Sequence, residues 1–201
     1  RLRTSDNDGL WTAMYIAAEC YRHAVTGEKE AKKFARESMD ALMFLEEVNG
    51  IPGFVSRSFA RPDEPHGSGE WDHITPDGEW RWKGDTSSDE IVGHYYAYSV
   101  YYDVCATEEE KGEIRDKVRL ITNYLVDNDY YLLDSDGEPT YWGKWNPEYL
   151  KTKGRLQRNL NAMQMLSFLR TAIHITGDSK FMDAYKDLII NHDYADYAVN
   201  P

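Results

Sequence analysis

Apolar positions along the chain fall into helical stretches of two alternating kinds. Residues 10–26 are apolar on nearly every side, whereas residues 28–48 carry a single apolar stripe among charged residues. The same order recurs twice more along the chain. A helix that is apolar all round must be surrounded by protein, while an amphipathic helix covers it from outside. The pattern therefore predicts an all-α fold of inner and outer helices paired in three hairpins, at about residues 10–48, 87–127 and 159–192.

Long connections rich in Gly, Pro and Trp follow the first two hairpins. Each contains an Asp-Gly step flanked by Trp and Tyr, at Asp77–Gly78 and at Asp136–Gly137. Asp-Gly between β-prone residues is a hairpin-turn signal, so we expect two small β-hairpins over the face onto which the inner-helix N-termini open. A solenoid of helical hairpins is the alternative architecture, although its connections are usually short.

Three stretches carry a resemblance to a known superfamily: "DNDGLW" from Asp6, "GDTSSDE" from Gly84 and "DGEPTYWGKWNPE" from Asp136. Together with the paired helices, they resemble the six-hairpin glycosidases, which include glycoside hydrolases, unsaturated-uronyl hydrolases and the toroid domains of polysaccharide lyases. The resemblance implies that residues 1–201 form one domain, about half of an (α/α)6 toroid. It also implies a sugar-binding cleft and a secreted or periplasmic location. We expect the remaining hairpins to come from the rest of a longer chain or from another subunit.

Charge and composition exclude several classes of partner. The formal net charge of -12 argues against a surface for nucleic acid or anionic lipid, since either needs clustered Lys and Arg. No apolar run reaches the roughly 18 residues that span a bilayer. The two cysteines, Cys20 and Cys105, make no disulfide framework, and their apolar helical context predicts buried free thiols.

Acidic residues cluster where the first two inner helices begin. The predicted catalytic residues are Asp8, Asp85, Asp89, Glu90 and His94. Glycoside cleavage needs two carboxyl groups, and carboxyls from adjacent inner helices could meet across one mouth. Two structural alternatives remain open for these residues. Ser87 with Glu90 fits a capping box, and Glu90, His94 and Tyr98 share one helical face, where they could form a hydrogen-bonded line into the core.

Substrate-binding candidates come from the long connections and the start of the third inner helix. Aromatic faces can stack on pyranose rings, and arginine can bind a uronic-acid carboxylate. The predicted substrate-binding residues are Trp80, Trp82, Trp142, Trp145, Arg57, Arg81 and Asn159. Trp71 lies in the first connection as well, and we expect two or three of the loop tryptophans to face the cleft.

No metal site or cofactor is predicted, because ligand spacing such as HExxH is absent. Calcium at Asp134, Asp136 and Glu138 is a minor alternative, since a hairpin turn explains that stretch better.

Three functions are compatible with these features. The first is a glycoside hydrolase acting on a poly- or oligosaccharide through paired carboxylates. The second is a polysaccharide lyase on the same fold, with His94 or Tyr95 as base and Arg57 or Asn159 to neutralise a substrate carboxylate. The third is a non-catalytic domain that binds glycan or scaffolds a larger assembly.

Overall fold

The computed structural model describes residues 6–64 and 73–199. Helix makes up 66% of the structure, which confirms a mainly helical chain. The described part contains eight α-helices: α1 (Asp8–Thr26), α2 (Lys29–Glu47), α3 (Ser88–Val104), α4 (Glu108–Asp127), α5 (Pro147–Lys151), α6 (Arg158–Thr176), α7 (Ser179–His192) and α8 (Tyr194–Val199). The six long helices lie close to the ranges in which the sequence pattern predicts helices. The short helices α5 and α8 were not indicated by the sequence pattern.

The inner helix α3 buries more of its circumference than its outer partner α4, whereas the inner helix α1 is not enclosed as expected and leaves Trp11 and Met14 exposed. In the second hairpin, α3 buries residues on most of its sides, including Glu90, His94 and Tyr98. Its partner α4 buries a single stripe, formed by Ile114, Val118, Ile121 and Leu125. α1 packs against both α2 and α3, and α6 packs against α3, α4, α7 and α8. α3 is therefore enclosed by its neighbours, as its apolar sequence requires.

Two small antiparallel sheets occupy the long connections. The first contains β1 (Ser58–Ala60), β2 (His73–Ile74) and β3 (Arg81–Lys83) in the order β1-β3-β2, and the second pairs β4 (Tyr131–Leu133) with β5 (Pro139–Lys144). Both predicted Asp-Gly turns are present. Their glycines, Gly78 and Gly137, have φ of 73° and 82°, a left-handed conformation that glycine adopts without steric cost. The strand β1 was not predicted.

Two buried tyrosines of α3, Tyr95 and Tyr101, have hydrogen-bond partners for their hydroxyl groups. The Tyr95 ring stacks on Phe168 of α6 with 4.6 Å between centroids, and its hydroxyl lies 2.7 Å from the Thr122 hydroxyl of α4. The Tyr101 hydroxyl donates to Glu110 over 3.1 Å. These contacts tie α3 to two other helices. Cys20 and Cys105 are buried free thiols, as predicted.

Glycines bring the starts of α1 and α3 into direct backbone contact. A Cβ on Gly93 would lie 2.7 Å from the Cα of Leu10 and 3.1 Å from the carbonyl oxygen of Gly9. These are backbone atoms, so no side-chain rotation could make room. On α1, a Cβ on Gly9 would collide with the carboxylate of Glu90. Only glycine at both positions allows the observed spacing.

We expect Gly93→Ala to destabilise the protein by about 1–3 kcal/mol, because it overpacks a backbone contact. Gly112→Ala is the matched control. Gly112 lies in α4, where a Cβ would have no neighbour within 4 Å, so the same change should stabilise the protein by about 0.5–1 kcal/mol. Urea denaturation of both variants measures the two effects. A neutral or stabilising Gly93→Ala would contradict the close approach.

Candidate functional site

The starts of the three inner helices meet around one surface pocket of about 390 Å³. We call it the mouth pocket. Its polar lining comes from residues at or near the helix starts, namely Asn7, Ser87, Ser88, Asp89, Gln157 and Asn161. The N-cap residues of these helices make no side-chain hydrogen bond to the first turn, although the Glu90 side chain accepts the Gly9 amide of α1. Their positive dipole ends and N-terminal amides therefore point toward this region.

Arg57, Trp142 and Leu160 complete the mouth pocket. Asp89 is solvent-exposed, and the Trp142 side chain is 44% exposed. The Arg57 guanidinium donates to the backbone carbonyl of Asp6 over 2.8 Å and to that of Asp85 over 3.0 Å. The pocket thus combines a carboxylate, a guanidinium, carboxamides, hydroxyls and an indole face. The polar groups can hydrogen-bond to the hydroxyls of a polyhydroxylated ligand, and the indole can pack on its apolar faces.

A second polar pocket, of about 400 Å³, lies beside the first between the two small sheets. We call it the hairpin pocket. Arg57 lines both pockets, and the hairpin pocket adds His73, Lys83, Asp85, Asp134 and Asp136. The Lys83 ammonium pairs with the Asp6 carboxylate and holds the pKa of that carboxyl below its usual range.

Asp85 is held in an unusual conformation at the edge of the hairpin pocket. Its φ is 46°, in the left-handed region that a residue with a side chain seldom adopts. Its amide donates to Asp134 over 2.6 Å, and its carboxylate accepts the amide of Tyr141 over 2.7 Å. Both partners belong to the β4–β5 hairpin region, so the second connection fixes the backbone that leads into α3.

Glu90 lies beneath the mouth pocket and is fully buried. One carboxyl oxygen accepts the amide of Gly9 over 2.8 Å, and the other has no hydrogen-bond partner among the described residues. Burial raises the Glu90 pKa to about 8, although the amides of Gly9 and Leu10 oppose the rise. The capping box, one of the two structural alternatives, does not form, because the Glu90 side chain turns inward and the Ser87 hydroxyl donates to Asn7 instead.

His94 is also fully buried, one turn further along α3. Its Nδ1 lies 2.8 Å from the carbonyl oxygen of Glu90, and its Nε2 lies 3.2 Å from that of Leu42. The Tyr98 hydroxyl has no partner among the described residues, so the expected side-chain line from Glu90 through His94 to Tyr98 does not form. Desolvation lowers the His94 pKa.

The tryptophans divide between the surface and the core. Trp142 lines the mouth pocket. Trp145 is fully buried and donates its indole N–H to Gln164 over 2.9 Å. It was expected to bind substrate, but in this structure its ring is part of the core. Trp82 is 5% exposed and stacks on His73, and Trp80 packs against Phe44 and Phe59. Trp71 lies outside the described residues.

Three other predicted residues, Asp8, Arg81 and Asn159, do not line the mouth pocket. Asp8 is half-buried, accepts the Ser58 hydroxyl and lies close enough to Glu90 to raise the pKa of that carboxyl. Arg81 is on β3, and Asn159 is half-buried in the first turn of α6.

Sequence reasoning missed three carboxamide side chains of the mouth pocket, Asn7, Gln157 and Asn161. Their location at the starts of inner helices is the signal that could have identified them. Asn7 and Gln157 are N-cap residues, and Asn161 follows in the first turn of α6.

The Asp134–Glu138 stretch forms the β4–β5 turn, in which the Asp134 amide donates to the backbone carbonyl of Glu138 over 2.8 Å. Within residues 6–64 and 73–199, no group of three or more His, Cys, Asp or Glu side chains is placed to hold a metal ion. Across the same ranges, no helix has the length and apolar character needed to cross a membrane.

Comparison with known proteins found no family model, curated protein or solved structure that matches the chain. The six-hairpin resemblance therefore remains a hypothesis based on the chain's own residues.

We expect Glu90→Gln to stabilise the protein at alkaline pH and to change little at pH 4. The folded-state pKa of about 8 lies above the ordinary value of 4.5. The stability that comes from protonated Glu90 is therefore complete below about pH 4.5 and is lost as the pH rises toward 8. Glutamine resembles the protonated form and avoids this loss, so the gap between variant and wild type should grow to at most ~5 kcal/mol above pH 8.

Denaturant unfolding at pH 4, 7 and 9 measures the gap. Glu109→Gln, at an exposed position in the first turn of α4, is the control and should show no comparable pH trend. A gap for Glu90→Gln that stays constant across this range would contradict the raised pKa.

Proposed function

We propose that this protein is carbohydrate-active, that its saccharide binds in the mouth pocket, and that it hydrolyses a glycosidic bond. The observation that carries the proposal is the combination in one pocket of the exposed Trp142 indole with Asp89, Arg57 and several carboxamides. An indole face suits the apolar side of a pyranose ring, and the polar groups suit its hydroxyls. The three hairpins would be about half of an (α/α)6 toroid, with the mouth pocket at its loop-covered end.

Two exposed aspartates line the two pockets that share Arg57. Asp89 lies in the mouth pocket and Asp85 in the hairpin pocket. Hydrolysis needs one carboxyl group to protonate the leaving oxygen and a second to activate water or attack the anomeric carbon. We assign these two roles to Asp89 and Asp85, because both are exposed, whereas Glu90 is buried and Asp8 is half-buried. A saccharide that occupies both pockets would place its scissile bond near Arg57.

The lyase alternative has weaker support. Its candidate bases were His94 and Tyr95, which must reach the substrate to take a proton. His94 is enclosed, with each ring nitrogen next to a backbone carbonyl. The Tyr95 hydroxyl is hydrogen-bonded to Thr122 inside the core, and burial raises its pKa well above the usual range. Neither side chain offers a base at the pocket surface.

We expect Asp89→Asn to abolish release of reducing ends from an oligosaccharide library and to leave the free energy of unfolding within about 1 kcal/mol, since Asp89 is exposed. Asp196→Asn is the matched control, an exposed aspartate in the first turn of α8. The control should keep full activity.

Three results would argue against hydrolysis through Asp89. Full activity of Asp89→Asn would remove this residue from the mechanism. Formation of an unsaturated product that absorbs ultraviolet light would identify a lyase. Binding without turnover by the wild type would favour the non-catalytic alternative.

We expect Trp142→Ala to weaken oligosaccharide binding by about 1 kcal/mol or more, since it removes a stacking surface. Trp11→Ala is the control, because Trp11 is also exposed but does not line the mouth pocket. Isothermal titration calorimetry with the same oligosaccharide measures both variants. Equal affinities for wild type and Trp142→Ala would exclude Trp142 as a sugar platform.

A further inference from the structure

The two cysteines of the chain lie next to each other in the core, on different helices. Cys20 belongs to α1, and Cys105 is the C-cap residue of α3. Both side chains are buried, and a hydrogen bond joins the two thiols. Each cysteine therefore has one possible disulfide partner within the chain, and that partner is already in contact with it.

The parallel packing of α1 and α3 explains why the two thiols meet. The helices touch at their starts, where Gly93 of α3 lies against the backbone of Leu10. From this contact, Cys20 is ten residues further along α1 and Cys105 is twelve residues further along α3. At a rise of about 1.5 Å per residue, these separations are roughly 15 and 18 Å. Helical geometry thus places both cysteines at the same level, within one turn, at the end of the helices opposite the mouth pocket.

The two thiols differ in how readily they ionise. Burial raises the pKa of Cys20, and its contacts with Cys105 and Glu19 raise it further. Burial also raises the pKa of Cys105, but the hydrogen bond to Cys20 and the charge of Lys32 oppose that rise. The nearby Glu110 carboxylate adds to the rise in the Cys105 pKa and is the smallest of these effects. Cys105 also lies where α3 ends, and helix ends open locally more easily than helix centres. Cys105 is therefore the thiol that an external oxidant meets first.

We propose that Cys20 and Cys105 form an intramolecular disulfide when the chain meets an oxidised low-molecular-weight disulfide such as oxidised glutathione. The Cys105 thiolate attacks one sulfur of the oxidant, which releases one glutathione and leaves a mixed disulfide. The Cys20 thiolate then attacks the Cys105 sulfur and releases the second glutathione. The protons of the two protein thiols pass to the released glutathione thiolates, and the two electrons that the protein loses reduce the oxidant. This inference does not depend on the proposed function.

The disulfide ties the first hairpin to the second at a distance from the mouth pocket. Glu90 and the two glycines hold α1 against α3 at one end, and the disulfide holds the same helices together at the other. The bond closes a loop of about 85 residues. In the chain-entropy model, closing a long loop lowers the entropy of the unfolded chain more than closing a short one. The crosslink therefore stabilises the fold.

Thiol counting by mass spectrometry tests the proposal directly. The folded chain is incubated with oxidised or with reduced glutathione, quenched with acid, denatured and alkylated. The reduced chain should take up an alkyl group at each cysteine. The oxidised chain should take up none, should be lighter by two hydrogen atoms before alkylation, and should yield a linked pair of peptides that contain Cys20 and Cys105. Free thiols that persist after prolonged oxidation, or a glutathione adduct that never resolves, would overturn the proposal.

A displaced thiol tests whether the pairing depends on the buried face of α1. The matched control combines Cys20→Ala with Ala18→Cys, which keeps two thiols in the chain but moves one of them to an exposed position. Successive residues of an α-helix are about 100° apart, so position 18 points about 200° away from position 20. The control should form no intramolecular disulfide under the same conditions. Equal disulfide formation in the control and in the wild type would overturn the assignment to the buried pair.

Thermal unfolding tests whether the crosslink fits the fold. The oxidised wild type should melt roughly 5–15 °C above the reduced wild type, because the closed loop is long. Cys20→Ala and Cys105→Ala should each show no such gain, since neither variant can form the bond. Comparing the two conditions within each variant removes the effect of the substitution itself on stability. A disulfide that forms without raising the melting temperature of the wild type would mean that the bond distorts the helices, and it would overturn the proposed pairing.

Discussion

The contact between the starts of α1 and α3 is the constraint on which the rest of the structure depends. Gly93 allows the α3 backbone to touch that of α1, and Gly9 leaves room for the Glu90 carboxyl. The Glu90 carboxyl in turn accepts the amide of Gly9, so one buried side chain satisfies a donor at the first turn of α1. Since α6 packs against α3 as well, this spacing also brings the third helix start to the mouth pocket.

Helical geometry separates two neighbouring acids into different environments. Asp89 and Glu90 are adjacent in sequence, but successive side chains on a helix point about 100° apart. Asp89 therefore meets solvent in the mouth pocket, while Glu90 is enclosed against α1. The first side chain is available to a ligand. The second contributes to the contact between helices, and its carboxyl stays protonated at neutral pH because burial disfavours its charge.

The sequence pattern predicted the long helices well and the site only in part. Apolar periodicity identified the six long helices, and the two Asp-Gly steps identified the small hairpins, because both signals are local. Trp145 was misjudged because its indole finds Gln164, nineteen positions away, and no local pattern reports such a partner. The inward turn of Glu90 depends on a glycine eighty-one positions earlier in the chain. Which acidic side chains are exposed depends on burial and on pairing across hairpins. Both are determined by how distant segments of the chain pack.

Arg57 joins parts of the chain that are far apart in sequence. Its guanidinium holds the backbone carbonyl of Asp6, just before α1, and that of Asp85, just before α3. It also lines both polar pockets. A ligand that binds this guanidinium therefore changes the stability of the segments that lead into two inner helices. Occupancy of the pockets and local opening of these segments are thermodynamically linked, so that each changes the equilibrium of the other.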